Sequence, residues 1–148
     1  MPRSSTVVRP GPPATRREST TESLAELYHQ ARAVLAHHYR KPLTLAVVAR
    51  ALASSPRQLQ RAFSEAGDTT FSAQLTAVRL RNGAELLAQS ALTVDDVARL
   101  VGYRQRSHFG KAFRQRYGVS PAEFRALRRE AARRARSHQN NQQGGKAR

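Results

Sequence analysis

Cysteine and tryptophan are absent from this 148-residue chain, and acidic residues are scarce, with 10 Asp+Glu against 26 Lys+Arg. Without cysteine the chain has no disulfide, no thiolate zinc site and no thiol nucleophile. No apolar run approaches the roughly 20 residues that a membrane-spanning helix needs. The basic residues near the N-terminus are not followed by the apolar segment of a secretory signal. We therefore expect a cytoplasmic protein.

The scarcity of acid leaves a formal net charge of +16. So many positive charges repel one another in the folded state, and a protein with such an excess usually binds an anionic partner. Nucleic acid is the first candidate, and an anionic membrane surface is the second. Binding to a membrane surface is the weaker hypothesis, because the arginine-rich C-terminal segment lacks the face of Trp, Phe and Leu that interfacial helices carry.

The few residues able to support catalysis or metal binding do not form a site. Ser107 and His108 are neighbours on a predicted helix, so their side chains do not face each other, and no acid is placed to orient the histidine. His37 and His38 are also adjacent and cannot bind one metal from a single helical face. We expect no enzyme, no metal and no cofactor.

Hydrophobic spacing and capping residues predict an all-α fold of about seven helices within residues 22–136. Residues 1–21, rich in Pro, Ser, Thr and Arg, predict a disordered basic arm, which is either a solvated tail or a minor-groove contact. Residues 137–148 are of low complexity and predict a disordered tail.

The outer helices are delimited by local signals. Ser23 and Glu26 form a capping box that predicts the start of the first helix. Residues at helical spacing then form one face of this helix as far as His38. Pro42 predicts that this helix ends by residue 41. A long linker helix is predicted at about 71–88.

The last helix is predicted at about 120–135, where Ser120 and Glu123 form a second capping box. Phe124 and Leu127 are its expected anchors in the core. Arginines, beginning with Arg125, crowd the remainder. They form either a solvated face or a set of loose phosphate contacts.

A pair of short helices joined by a turn occurs twice, at about 44–67 and about 93–118. The first helices of the two units match at an offset of 49 residues: Thr44, Val48, Ala49 and Arg50 correspond to Thr93, Val97, Ala98 and Arg99. The second helices match at an offset of 50 residues: Leu59, Arg61, Ala62 and Phe63 correspond to Phe109, Lys111, Ala112 and Phe113. One extra residue in the second turn explains the change. This is a duplicated helix-turn-helix pattern.

The outward residues of the second helices recur in phase as well, with Arg57, Arg61 and Ser64 matching Ser107, Lys111 and Arg114. Packing alone explains matching core positions but not matching outward cations. Such helices can lie in a DNA major groove. A linker of roughly 27 Å suits two recognition helices about one DNA turn apart, so that a monomer is sufficient.

Two stretches resemble the DNA-binding domain of AraC/XylS-type transcriptional regulators: LTLAVVARALASSPRQLQRAF and LTVDDVARLVGYRQRSHFGKAFRQRYGVSPAEFR. The intervening VRLRNGAELL is similar to the linker helix of that family. The resemblance spans about residues 24–129 and is strongest at 102–125. It implies two helix-turn-helix units in successive major grooves of double-stranded DNA, transcription regulation, and commonly activation through contact with RNA polymerase.

By position, the resemblance places base-reading residues at Arg57, Gln60 and Arg61 and at Arg106, Ser107 and Lys111. Arginine suits guanine and glutamine suits adenine, whereas serine discriminates little, so we expect the first unit to carry more of the specificity. The candidate DNA-binding residues are Ser55, Arg57, Gln58, Gln60, Arg61, Arg104, Gln105, Arg106, Ser107, His108, Lys111 and Arg114.

Three departures from the family pattern are visible. Gln105 stands where the family often has Ser or Asp as a helix cap, and glutamine is a poorer cap. Gly83 replaces a more usual alanine in the linker helix, at a cost of roughly 1 kcal/mol if it is exposed. Many relatives also carry a sensor domain, whereas only about 22 residues precede the first predicted helix here, so we expect a stand-alone member.

One alternative stays open within the class of DNA-binding proteins. An architectural protein would use charge without reading sequence, with weak discrimination between sites and an affinity that falls steeply with salt. It would need only Lys and Arg, and would leave Gln58, Gln60 and the in-phase duplication unexplained.

Overall fold

Threonine and serine side chains cap five of the helices and fix where they begin. The hydroxyl of Thr44 accepts a hydrogen bond from Val47 N at 3.2 Å, and the side chains of Ser55, Thr70, Thr93 and Ser120 act in the same way. Each satisfies one of the N–H groups that a helix leaves unpaired in its first turn.

The computed structural model describes residues 15–144, with side chains for residues 20–142. It contains seven α-helices: α1 (Thr15–His38), α2 (Leu45–Ala51), α3 (Pro56–Arg61), α4 (Phe71–Gln89), α5 (Val94–Leu100), α6 (Arg106–Tyr117) and α7 (Pro121–Gly144). A π-helical turn, Ala62–Ala66, continues α3. Residues 15–144 contain no strand, which confirms the predicted all-α, seven-helix fold. None of the described helices combines the length and the apolar character needed to cross a membrane.

The two outer helices are longer than expected. Helix α1 begins at Thr15, so the prediction of disorder is wrong for residues 15–21. The predicted capping box at its start is also wrong: the helix continues through Ser23, and the Glu26 carboxylate accepts a hydrogen bond from Gln30 at 2.9 Å. The rest of the predicted arm, residues 1–14, lies outside the described residues.

Helix α7 continues to Gly144, past the predicted end near residue 135, so the prediction of disorder is wrong for 137–144. Neither helix extension contains proline, and the glycine at the end of α7, Gly144, is its last residue. Arginine in the α1 extension and glutamine in the α7 extension favour helix. The predicted tail beyond residue 144 lies outside the described residues.

The core is one cluster of buried residues, which contains an aromatic group in each unit. In the first unit the ring of Phe63 lies edge-on to Tyr28 and Phe71, at 5.4 and 5.6 Å between centroids. In the second unit the fully buried Phe113 contacts Phe109, at 5.6 Å. The aromatic group of the second unit is completed by Tyr103, Tyr117 and Phe124.

Two expected core positions are exposed instead. His38, the last residue of α1, lies on the surface. Leu127 is 56% exposed, which leaves Phe124 as the anchor of α7. The described side chains that follow Leu127 are all exposed as well, so helical spacing alone overestimates burial in this part of α7.

Gly83 is buried, so the cost stated for an exposed glycine does not apply. A Cβ atom at this position would lie 3.0 Å from Cε2 of Phe109. The glycine therefore allows α6 to approach the linker helix closely, as a residue without a side chain permits.

Arg125 holds the beginning of α7 against the linker helix. Its Nε donates to the carbonyl oxygen of Leu87 at 3.1 Å, near the C-terminal end of α4. A cation is favoured there by the helix dipole. Burial lowers the pKa of Arg125. This arginine is a packing residue and does not belong with the exposed arginines that follow it.

Candidate nucleic-acid interface

The two helix-turn-helix units repeat in local geometry as well as in sequence. Helices α2 and α5 each have seven residues. In the turns that follow, the backbone N–H of Ser54 donates to Ala49 O, and that of Tyr103 donates to Ala98 O, both at 2.9 Å. Both turns contain a residue with positive φ, Ala53 and Gly102. Because Tyr103 matches Ser54 and Gln105 matches Ser55, the extra residue of the second unit is Arg104.

Helix α3 presents the first set of candidate residues. Ser55, Arg57, Gln58, Gln60 and Arg61 are all exposed, while Leu59 on the opposite face is fully buried. Arg57 and Gln60 make no side-chain hydrogen bond or ion pair to the described part of the chain. The first set of candidate residues is therefore turned to solvent, as predicted.

Two members of this set, Ser55 and Gln58, have hydrogen-bond partners at the turn. The hydroxyl oxygen of Ser55 accepts from the backbone N–H of Gln58 at 3.1 Å. The hydroxyl of Ser54 donates to Oε1 of Gln58 at 3.2 Å. The carbonyl end of the Gln58 amide therefore faces the turn, and its donor nitrogen remains for a ligand.

Arg61 has a partner that sequence reasoning missed. Its Nε lies 2.9 Å from a carboxylate oxygen of Glu65, one turn later. This ion pair raises the pKa of Arg61 and lowers the pKa of Glu65, in both cases chiefly through their hydrogen bond. The spacing of four residues was the available signal. Both side chains are exposed, so the contact holds the guanidinium in place without burying it.

Helix α6 and the preceding turn present the second set. All seven residues are exposed: Arg104, Gln105, Arg106, Ser107, His108, Lys111 and Arg114. Phe109 and Phe113, on the other face of α6, are fully buried. The structure thus separates the polar and apolar faces of α6 as the sequence indicated.

The start of α6 is less completely capped than that of α3. The Gln105 side chain makes no capping hydrogen bond, whereas Ser55 makes one at the equivalent position. This agrees with the expectation that glutamine caps poorly. The first turn of α6 therefore keeps backbone N–H donors that no side chain of its N-cap residue satisfies.

The second set is chemically poorer than the first. The equivalent of Gln60 is Gly110, which has no side chain and has open space where a Cβ atom would lie. The equivalent of Arg57 is Ser107. Arg114 interacts electrostatically with Glu123 of α7. The pKa of Glu123 is lowered mainly by hydrogen bonds with Ser120 and, to a smaller extent, by the charge of Arg114. Lys111 and Arg106 are the main cations of this helix that have no such local role.

The described residues contain no group of three or more His, Asp or Glu side chains placed to hold a metal ion. The chemistry of the two surfaces consists of cationic and amide donors, together with serine hydroxyls. Such donors match phosphate oxygens and the acceptor edges of bases.

Comparison with known proteins gives one consistent family. A family model described as a helix-turn-helix domain matches residues 48–127, more than half of the chain. The HTH-type transcriptional regulator GlxA of Rhizobium meliloti (strain 1021) is 34% identical over 85 residues, which cover 57% of this chain and 26% of GlxA. The chain spans about a quarter to a third of the length of the curated relatives it matches.

Two solved structures share the fold. The C-terminal domain of AraT, a response regulator from Geobacillus stearothermophilus, matches with a TM-score of 0.67 and 33% identity, over 70% of this chain and 87% of that domain. The DNA-binding domain of AdpA, described as a global transcriptional factor and solved with a target DNA, matches with a TM-score of 0.65 and 28% identity, over 73% of this chain and 94% of the other.

Proposed function

The chain belongs to the AraC-type helix-turn-helix family, and from this membership we propose that it is a sequence-specific DNA-binding transcription regulator and an activator. Helices α3 and α6 would enter successive major grooves on one face of the DNA. The observation that carries this proposal is the in-phase repeat of exposed polar and cationic side chains on two helices whose opposite faces are buried.

Base reading is assigned chiefly to the first unit. Arg57 and Arg61 supply forked donors suited to guanine O6 and N7, and Gln60 supplies the donor and acceptor suited to adenine. In the second unit Arg106 supplies one forked donor, Lys111 a point charge and Ser107 a single hydroxyl. Because Gly110 stands at the equivalent of Gln60, the second unit lacks an amide there and discriminates bases less.

The remaining candidate residues are assigned to the DNA backbone. Ser55 and Gln58 lie at the start of α3 and retain donors for phosphate. Around the start of α6 the corresponding residues are Arg104, Gln105 and His108, and Arg114 lies in the last turn of α6. Helix N-termini with open N–H groups favour anions, which supports phosphate contacts by the first turn of α6.

A monomer suffices for this activity, because one chain carries both recognition helices. Helix α4 has 19 residues and is therefore about 28 Å long, a length that suits two reading helices about one DNA turn apart. An activator of this kind would contact RNA polymerase and act in the cytoplasm, at the nucleoid. It would not be an enzyme and would need no cofactor.

The experiment that tests the proposal is selection from a random duplex library of about 25 base pairs, long enough for two half-sites, at near-physiological salt. We expect a motif of two blocks about one helical turn apart. Tight, steeply salt-dependent binding with no enriched motif would contradict the proposal and favour the architectural alternative.

Single substitutions then show which recognition helix contacts which block of the DNA motif. Arg61→Ala is expected to weaken binding to the selected site about 10- to 100-fold and to relax preference at one base pair. Arg133→Ala is the charge-matched control, since Arg133 lies on the exposed part of α7. Equal weakening on all sequences by Arg61→Ala would identify Arg61 as a phosphate contact.

A further inference from the structure

Arg79, in the middle of α4, lies where the two helix-turn-helix units meet. Its Nε donates to the carbonyl oxygen of Tyr39 at 2.9 Å, and its Nη2 donates to the carbonyl oxygen of Lys41 at 2.9 Å. Both carbonyls follow the C-terminal end of α1, the helix that packs on α3 and its π-helical turn. Carbonyls at the end of a helix attract cations, so this guanidinium is bound to the first unit.

The same guanidinium also contacts the second unit. Its Cζ lies 5.9 Å from the centroid of the Tyr103 ring. Tyr103 in turn lies edge-on to Phe109, at 5.4 Å between centroids. Phe109 is a buried residue of the second recognition helix, α6. A continuous path of contacts therefore joins the end of α1 to α6 through one arginine side chain.

Among the described residues no acidic side chain pairs with Arg79. The two carbonyls and the aromatic ring are the groups that balance its charge. Burial raises the pKa of Tyr103, which keeps the phenol neutral. Burial also lowers the pKa of Arg79, but a guanidinium stays protonated in proteins. Because Arg79 is half-buried, it is removed from the exposed surface assigned to DNA.

Gly102 provides the space that the contact requires. It has a φ of +99°, and a Cβ atom there would lie 2.9 Å from both Nε of Arg79 and the carbonyl oxygen of Tyr39. Glycine at this turn therefore serves two purposes, since it adopts a conformation that other residues avoid and lets the turn close on the guanidinium.

We propose that Arg79 is a positioning residue that fixes the orientation of the second recognition helix relative to the first and thereby sets the number of base pairs between the two DNA blocks. The DNA part of this proposal rests on the proposed function. Arginine is required because its planar fork can bond two carbonyls while one face lies against a ring, whereas lysine offers a single point charge.

The first test measures geometry without DNA. Because the chain has no cysteine, Ser64→Cys and Gln115→Cys create two unique, exposed positions for spin labels, one in each unit. We expect a narrow distance distribution in the otherwise unchanged chain and a broadened one with Arg79→Lys. Arg81→Lys is the control, since Arg81 is exposed on the same helix. Equal widths in all three would overturn the proposal.

The second test measures spacing preference on duplexes in which the spacer between the selected blocks is changed by one base pair. The unchanged chain and Arg81→Lys should prefer the selected spacing at least about tenfold, comparable to the effect of a mismatched base pair. With Arg79→Lys this preference should fall to about threefold or less, because the coupling between the units is weakened. An unaltered preference in folded Arg79→Lys would refute the proposal.

Tyr103→Leu provides a second route if Arg79→Lys fails to fold. It removes the ring that Arg79 contacts while leaving both carbonyl bonds, and it should broaden the spin-label distances in the same way. If the chain selects no two-block motif but the labels broaden as expected, then the proposed function fails and the positioning role of Arg79 stands.

Discussion

Replacing Gly83 by alanine has two opposing effects on the stability of the fold, and their sizes can be compared. Alanine is favoured over glycine in a helix interior by about 1 kcal/mol. The added Cβ atom, however, would lie 3.0 and 3.1 Å from Cε2 and Cζ of Phe109. Insertion of a methyl group into a filled core costs about 1–3 kcal/mol. We expect the cost to exceed the gain, because Phe109 is fully buried and cannot move toward solvent.

The expected net effect of Gly83→Ala is a loss of up to about 2 kcal/mol of unfolding free energy, which lowers Tm by up to about 10 °C. Gly110→Ala is the matched control, because no atom lies within 4 Å of the Cβ position there. It should raise stability by up to about 1 kcal/mol. Thermal and urea unfolding, followed by circular dichroism, measure both.

A double-mutant cycle identifies the clash. Combining Gly83→Ala with Phe109→Leu should give a favourable coupling of about 0.5–3 kcal/mol, because the smaller side chain makes room for the methyl group. If Gly83→Ala stabilises the chain as much as Gly110→Ala does, then Phe109 adjusts freely and the close-approach argument is wrong.

Three further predictions concern the core, the recognition surface and a helix cap. Phe113→Ala should cost about 3–5 kcal/mol of unfolding free energy, whereas Leu127→Ala should change it by less than about 1 kcal/mol; similar losses would contradict the burial of the aromatic group. Glu65→Gln should release Arg61 and raise affinity for the selected duplex about two- to fivefold in fluorescence anisotropy, and weaker binding would show that Glu65 orients the arginine for DNA. Folding lowers the pKa of Glu123, so its charged form stabilises α7 at a pH above the ordinary pKa of a glutamate, and this stabilisation is lost as the pH falls. The Tm difference between the unchanged chain and Glu123→Gln should therefore shrink from about pH 7 to about pH 3. A constant difference would refute this role.

Periodicity and capping were sufficient to predict the two helix-turn-helix units and their exposed faces. The buried residues of α3 and α6 recur at helical spacing, which leaves the polar residues on the other face. Thr44, Ser55, Thr93 and Ser120 are residue types that favour the N-cap position, and each makes the capping bond. These features depend on residues within a few positions of each other.

Features that depend on distant residues were not predictable. Arg79 and Tyr39 are 40 residues apart, and Arg125 and Leu87 are 38 apart, so neither hydrogen bond has a local pattern. Gly83 looked like a local weakness because its partner, Phe109, lies on another helix. The ends of α1 and α7 were misjudged for a different reason: polar, low-complexity sequence resembles a tail even where nothing in it breaks a helix.

The central claim is that one chain reads two DNA blocks with α3 and α6. A hydroxyl-radical footprint on the selected duplex, with native mass spectrometry to count the bound chains, tests it most directly. We predict one chain per duplex and two protected patches on the same face, centred about 10 base pairs apart. A single patch for each bound chain, or two patches that appear only when two chains are bound, would contradict the claim.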